Sequence, residues 1–414
     1  VQTCALPILF IHCLVFCALS LKPIIIVPGH FGSRLHMSTT RQPYWFCPRK
    51  IEKTYSWIRV RDLIPPFITC LVDQLTLEYD EQNDSIKSRD NTTISPEKIG
   101  EISGIRGVGP DFLNRYLPVN YERYILEFLE AGYHEGKDLF AATYDWRYGL
   151  EQPKAFFDGL RKLIEDAYEK NGHEKVLLLA HGLGAELSHM FLMEMNDKEW
   201  RKKYIDSATY VSPSFTGSGQ AFYALWRLRF PYVHFRFEAL RRFVASLGAF
   251  HAQLPNAVAY ENTTLVIDPD GKEHKGKDLI NFLIKNGKLT KEEIKLAEKN
   301  FKYTKQLPKE PDFNINILYN SGVRTPIGLK LMSWDDVGKP IYGHGDGLMG
   351  SKVIEWACQN WKGNDITVRC HDVILDNKEF HHRFLLKSPE IAKLIRHWMI
   401  DSPIDKSKSF SDDL

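Results

Sequence analysis

Residues 174–187, EKVLLLAHGLGAEL, carry an apolar run into a glycine-flanked turn and the start of a helix. Where a buried strand turns this sharply into a helix, small flanking residues let the central side chain project above the sheet, the place a nucleophile takes in acyl transfer. The five residues of the turn are Ala180, His181, Gly182, Leu183 and Gly184, so the small flanks are present and the central position holds a glycine. Downstream, YGHGDGLMG places Asp346 in a glycine-rich loop, and EFHHRFLL offers His381 and His382 ahead of the last helix. Nucleophile position, acid and histidine thus follow in an order that suits a proton relay. Fifteen histidines and the commonness of Asp-Gly turns make the acid and histidine weak signals alone, and the turn at 180–184 gives them weight. Ser188 cannot stand in for a serine at 182, because six helical positions put it more than about 8 Å along the axis.

The elements that must hold these residues read as an open α/β sheet. KPIIIVPGHFG, KDLFAATYDWR and HEKVLLLAHG look like buried parallel strands. Between the last two, Phe156, Phe157, Leu160, Leu163, Ile164, Ala167 and Tyr168 recur at helical spacing, and Gly172 closes this crossover helix. NINILYNSG and ITVRCHDVIL supply later strands, and SPEIAKLIRHWMI a final helix capped by Ser388. Two stretches leave this rhythm. One, 37–101, has an aromatic segment bracketed by cysteines. The other, 217–312, includes AFYALWRLRFPYVHFRFEALRRF and the charged helical run TKEEIKLAEKNFKY. The expected division is 1–21 leader, 22–36 first core segment, 37–101 subdomain, 102–216 core with the turn, 217–312 cap and 313–414 core with the acid and histidine loops.

Fifty-four basic against 52 acidic residues leave a net charge of +2, which removes nucleic acid as a partner on charge grounds. The apolar stretch Leu9–Leu21 has the length of a signal-peptide core and is too short to span a bilayer; a buried first strand is the alternative. The first eight residues, VQTCALPI, read as a translated library adapter and are set apart from the fold. Without Cys4, Cys13 and Cys17, four cysteines remain, and Cys47 with Cys70 and Cys358 with Cys370 is the simplest of the pairings open to them. The triplets at Asn83, Asn91 and Asn262 are glycosylation acceptors consistent with secretory passage.

KPIIIVPGHFGSRL, GIRGVGPDFLNRYL, YDWR, LLLAHGLG, YGHGDGLMG and HHRFLL, in that order from about Pro23 to Trp398, resemble the blocks of the lecithin:cholesterol acyltransferase and lysosomal phospholipase A family. The resemblance implies an α/β-hydrolase sheet with a disulfide-closed membrane-binding subdomain and a cap insertion. It implies Asp346 as the triad acid, His382 in preference to His381 as the base, and backbone N–H groups of Val108 and Leu183 as oxyanion donors. Cys47 and Cys70 then look like the disulfide of the lipid-engaging loop, with Trp45, Phe46, Trp57 and Ile58 as aromatic and apolar residues for a bilayer surface; a buried role for them is equally open. A family cysteine is missing near Ile317, which pairs Cys358 with Cys370. No cofactor or metal is implied. The partners implied are a phospholipid membrane or lipoprotein surface and a lipid alcohol acceptor, and the compartment is secreted or lysosomal. Arg106 and Val108 depart from the family's P-G-F-G block, and SPSFTGS from its AP-W-GG block.

Gly182 is the departure with chemical consequence, since glycine cannot form an acyl-enzyme. Three readings follow: a lipid-binding member without turnover, an active acyltransferase or phospholipase A whose codon 182 is misread, and a secreted scaffold for interactions. In the first, Arg227, Arg229, Arg236, Arg241 and Arg242 of the cap face anionic head groups or are simply solvated.

Overall fold

The computed structural model describes residues 21–57, 59–107, 120–230, 237–363, 365–377 and 380–401. Val108, Ile58, Arg236 and the apolar stretch up to residue 20 lie outside them.

Six parallel strands form the central sheet: β1 Ile24–Val27, β2 Leu139–Ala141, β3 Val176–His181, β4 Ile205–Val211, β5 Asn314–Tyr319 and β6 Val368–Asp372. Their spatial order is β6-β5-β4-β3-β1-β2, so β3, which ends at the turn, has β4 and β1 as neighbours. The unbroken apolar runs of β1 and β3 follow from burial on both faces. Ile25, Val27, Leu178 and Ala180 join one hydrophobic cluster, while Ile24, Ile26, Leu177 and Leu179 join another on the opposite face. Five helices matter for the site: α1 Glu122–Glu130, α2 Lys154–Lys170, α3 Leu183–Glu194, α4 Glu238–Ser246 and α5 Pro389–Arg396. α2 buries Leu160, Ile164 and Ala167 and is followed by Gly172 at φ +66°, a left-handed residue that releases the chain toward β3. Ser388 caps α5 by accepting the Ile391 N–H at 3.3 Å.

β4 escaped the sequence reading. Its IDSATYV places Asp206, Ser207 and Thr209 among apolar residues, and the interior tolerates Thr209 because its hydroxyl accepts the Asn316 amide of β5 at 3.0 Å.

Residues 35–96 form a three-stranded sheet, a two-stranded hairpin and the helix Phe67–Leu75, stapled by Cys47–Cys70. The second disulfide joins Cys358 to Cys370. A four-stranded sheet combines Thr264–Ile267 and Glu273–Lys275 with the long hairpin Gly322–Lys330 and Lys339–Asp346. Two polar junctions fasten these parts. Arg147, fully buried, pairs with Asp145 and also donates to Leu75 O and Ser88 Oγ, which accounts for the YDWR block as a tie between the main sheet and residues 75–88. Asp73, only 1% exposed, receives Arg41 at 3.0 Å, Arg89 at 2.5 Å and, from α4, Arg242 at 3.2 Å.

Candidate active site

The turn after β3 is held in an unusual backbone conformation. Gly182 has φ +52° and ψ −122°, a region that costs other residues strain. Its N–H donates to Val211 O of β4 at 3.1 Å, and its carbonyl accepts Ala185 N–H at 3.1 Å and Ser214 N–H at 3.2 Å. Gly184 has no alternative: a Cβ there would lie 2.2 Å from Pro28 O and 2.7 Å from Val27 O, so α3 can leave the turn only by passing against the end of β1. Leu183 opens α3, and its N–H has no acceptor within the helix.

A Cβ built on Gly182 points at the candidate base. Apart from the adjoining His181 and Leu183, its neighbours within 4 Å among the described residues are His382 Nε2 at 3.5 Å and His382 Cε1 at 3.6 Å. His382 Nδ1 donates in turn to Asp346 Oδ2 at 2.7 Å. Asp346 closes the strand Lys339–Asp346, and Gly347 beyond it, at φ +87°, turns the chain so that Leu348 and Met349 N–H groups donate to Asp346 Oδ1 at 3.0 and 2.7 Å. Burial opposes charge on this carboxyl, but His382 and the two amides prevail and hold it below the ordinary carboxylate range. An ionised Asp346 fixes the proton on Nδ1 and leaves Nε2 as the basic nitrogen facing Gly182. The loop before His382 is anchored by Asn320, whose side-chain amide donates to Leu375 O and Phe380 O, and Tyr124 of α1 donates to Leu385 O. His381 turns away from this arrangement toward Asp376, 3.3 Å off.

Several neighbours were not singled out from the sequence. His181 packs against His382 with ring centroids 4.7 Å apart. Burial, and secondarily His382, keeps its imidazole neutral well below the ordinary histidine range. Its Nδ1 is 3.2 Å from Tyr121 Oη, which also accepts the Gly29 N–H at 2.6 Å. The Pro28–Phe31 loop therefore belongs to the site; only the adjacency of β1 and β3 could have revealed it, and strand order is not written in local sequence. His30 of this loop sits among Phe31, Trp146 and Phe250, and burial pushes its pKa down to about 3. On α3, burial pushes the Glu186 carboxyl up to about 7, offset in part by the Ser214 hydroxyl that donates to it. Ser188 bonds back to Gly184 O at 2.6 Å, inside its own helix.

The remaining residues separate by exposure. Trp45 is 89% exposed beside the Cys47–Cys70 staple, and Phe46 is half-buried against Tyr44. Of the two roles open to Trp57, its packing fits the inward one: it lies 5.0 Å from the Phe31 ring and 5.1 Å from Trp146, where the core offers it aromatic neighbours. Three arginines of the 217–312 segment are likewise engaged within the fold. Arg227 donates to the carbonyls of Asp335 and Asp336, Arg241 grips Glu293, and Arg242 reaches Asp73. Asn83, Asn91 and Asn262 are all exposed in turns. No group of side chains suited to a metal occurs among the described residues, and no helix among them is long and apolar enough to cross a membrane.

A parallel sheet whose central strand turns through a strained glycine into a helix, beneath a buried Asp–His pair, defines an α/β-hydrolase. The profile of the lecithin:cholesterol acyltransferase family matches residues 55–258 of the chain. The chain is 25% identical to the lysosomal phospholipase A and acyltransferase of Bos taurus, over 84% of this chain and 85% of that protein. The protein of the same name in Homo sapiens is 23% identical, covering 82% of each chain. Lecithin-cholesterol acyltransferase-like 1 of Oryza sativa subsp. japonica is 24% identical, over 83% of this chain and 79% of that one.

Proposed function

We propose that this chain is a phospholipid-binding member of the family in which Gly182 closes the covalent route of acyl transfer while the rest of the catalytic arrangement stays assembled. The observation that carries the reading is the direction of the missing side chain: a Cβ on Gly182 would face His382 Nε2 at 3.5 Å, with Asp346 2.7 Å behind the ring. A serine hydroxyl there, one bond further out, comes within the roughly 2.6–3.2 Å needed for proton transfer. Its loss costs on the order of a millionfold in turnover where a triad nucleophile has been removed. In this reading Leu183 N–H is one oxyanion donor. Val108, the donor implied by the resemblance, lies outside the described residues. The loop beside the turn offers the His30 N–H, since that of Gly29 is taken by Tyr121.

The lipid-engaging face is the stapled 37–101 segment, with Trp45 as the residue that enters the bilayer surface. Residues 217–312 act as the cap, and the compartment is the secretory or lysosomal lumen, where the two disulfides form. The reaction class is phospholipase A or O-acyl transfer to a lipid alcohol. The test is acyl release from phosphatidylcholine vesicles by the protein and its Gly182→Ser variant, after resequencing codon 182. Turnover by the variant far above that of the native protein supports the reading, and silence from both refutes it.

The intact Asp346–His382 pair also favours a second reading, an active enzyme carrying serine at 182 in the organism. Serine in the resequenced codon decides for it.

A further inference from the structure

Serine exceeds glycine by a CH2OH group, which as a separate molecule is methanol. At Gly182 the position of that group's carbon is open toward His382. Apart from the two residues that adjoin Gly182 in the chain, His382 Nε2 and Cε1 are the described atoms within 4 Å of the Cβ position, both at ordinary contact distance. The walls suit a small hydroxylic molecule. With Nδ1 bonded to Asp346, Nε2 is the ring nitrogen left facing this space. His181 packs against the His382 ring and is neutral, so it brings no competing positive charge. The Leu183 N–H at the head of α3 is without an intrahelical acceptor.

We propose that the space between Gly182 and His382 binds a small hydroxylic nucleophile, water or an alcohol no larger than methanol, which His382 activates for direct attack on a bound acyl ester. The inference rests on the proposed function for the ester's presence, and it adds an activity that needs no acyl-enzyme. The nucleophile's oxygen bonds to the ester carbonyl carbon as its proton passes to His382 Nε2. Asp346 stabilises the resulting imidazolium. The tetrahedral adduct collapses, the bond to the leaving alkoxide breaks, and the alkoxide takes the proton back from Nε2. The products are a free acid from water or a methyl ester from methanol, plus the released alcohol. Nothing is oxidised, and the protein returns unchanged.

The test measures p-nitrophenol and methyl butyrate formed from p-nitrophenyl butyrate as methanol is raised to molar concentration. The native protein is compared with His382→Ala and with Gly182→Ala, whose added methyl fills the space without supplying an oxygen. Circular dichroism verifies that each is folded. Methyl ester formation is expected to saturate with methanol and to exceed that of either variant on the order of a hundredfold, the contribution of a general base. Formation that is linear in methanol and equal in all three proteins overturns the proposal. Gly182→Ser, assayed in parallel without methanol, separates the two failures. If it hydrolyses the ester while the native protein shows no His382-dependent methanolysis, the small-nucleophile site falls and the proposed function stands. If it too is inert, both fall.

Discussion

Replacing Gly182 with alanine isolates the strain of the turn. The native residue sits at φ +52° and ψ −122°, where a side chain costs about 1–3 kcal/mol. The added Cβ meets nothing closer than His382 at 3.5 Å, so no steric term adds to this. Restricting the unfolded chain returns about 0.4–1 kcal/mol. The net expected loss is about 1–2 kcal/mol. With an unfolding entropy of about 2.1 cal/mol/K per residue, a chain of this size melts only about 1–2 °C lower. Serine at the same position regains about 0.5–1.5 kcal/mol through a hydrogen bond to His382 Nε2, so it falls between the two. Scanning calorimetry on the three proteins at one pH is the assay, with the order native, Gly182→Ser, Gly182→Ala from most to least stable. An alanine variant as stable as the native protein would refute the reasoning, because the turn then carries no strain for glycine to relieve.

Three further outcomes follow from named contacts. Glu186 has its pKa raised from 4.5 to about 7 by burial, so the native state binds a proton the unfolded chain releases. Its contribution is fully present below pH about 4.5 and is lost as pH rises through about 7. The loss is on the order of 3 kcal/mol, and urea unfolding of Glu186→Gln across this range should show the slope flattened. Asp73→Ala leaves Arg41, Arg89 and Arg242 around an empty centre and should cost about 3–5 kcal/mol in the same assay, whereas a loss below about 1 kcal/mol would show the junction to be dispensable. Trp45→Ala should leave the melting temperature unchanged, since the side chain is 89% exposed, and should weaken co-sedimentation with phosphatidylcholine vesicles; unaltered binding would remove Trp45 from the lipid surface.

Much of the sheet is legible in the sequence because its strands are buried on both faces. β1, β2, β3 and β5 announce themselves as apolar or β-branched runs, and α2 as a periodic stripe. β4 does not, because it carries polar residues such as Thr209, whose hydroxyl is satisfied by a partner strand distant in sequence. The turn at 180–184 is readable from its small residues, and the requirement at Gly184 is a close approach to β1. What sequence alone leaves open is adjacency in space. Whether His381 or His382 meets Asp346 depends on how Asn320 anchors the preceding loop, and the part played by His181, Tyr121 and the Pro28–Phe31 loop depends on strand order. Aromatic residues show the same limit: Trp45 and Trp57 look alike in the sequence, yet one faces solvent and the other the core.

The central claim is that the site lacks a nucleophile and nothing else. Intact-protein and peptide mass spectrometry after exposure to a long-chain alkyl fluorophosphonate tests it most directly, applied to the native protein, Gly182→Ser and the double variant Gly182→Ser/His382→Ala. The account predicts one phosphonyl adduct, on residue 182 of the serine variant, its absence from the native protein, and its near-complete loss from the double variant. An adduct on the native protein, at Ser212 or Ser214 beyond β4 for instance, or an unreactive serine variant, would contradict it.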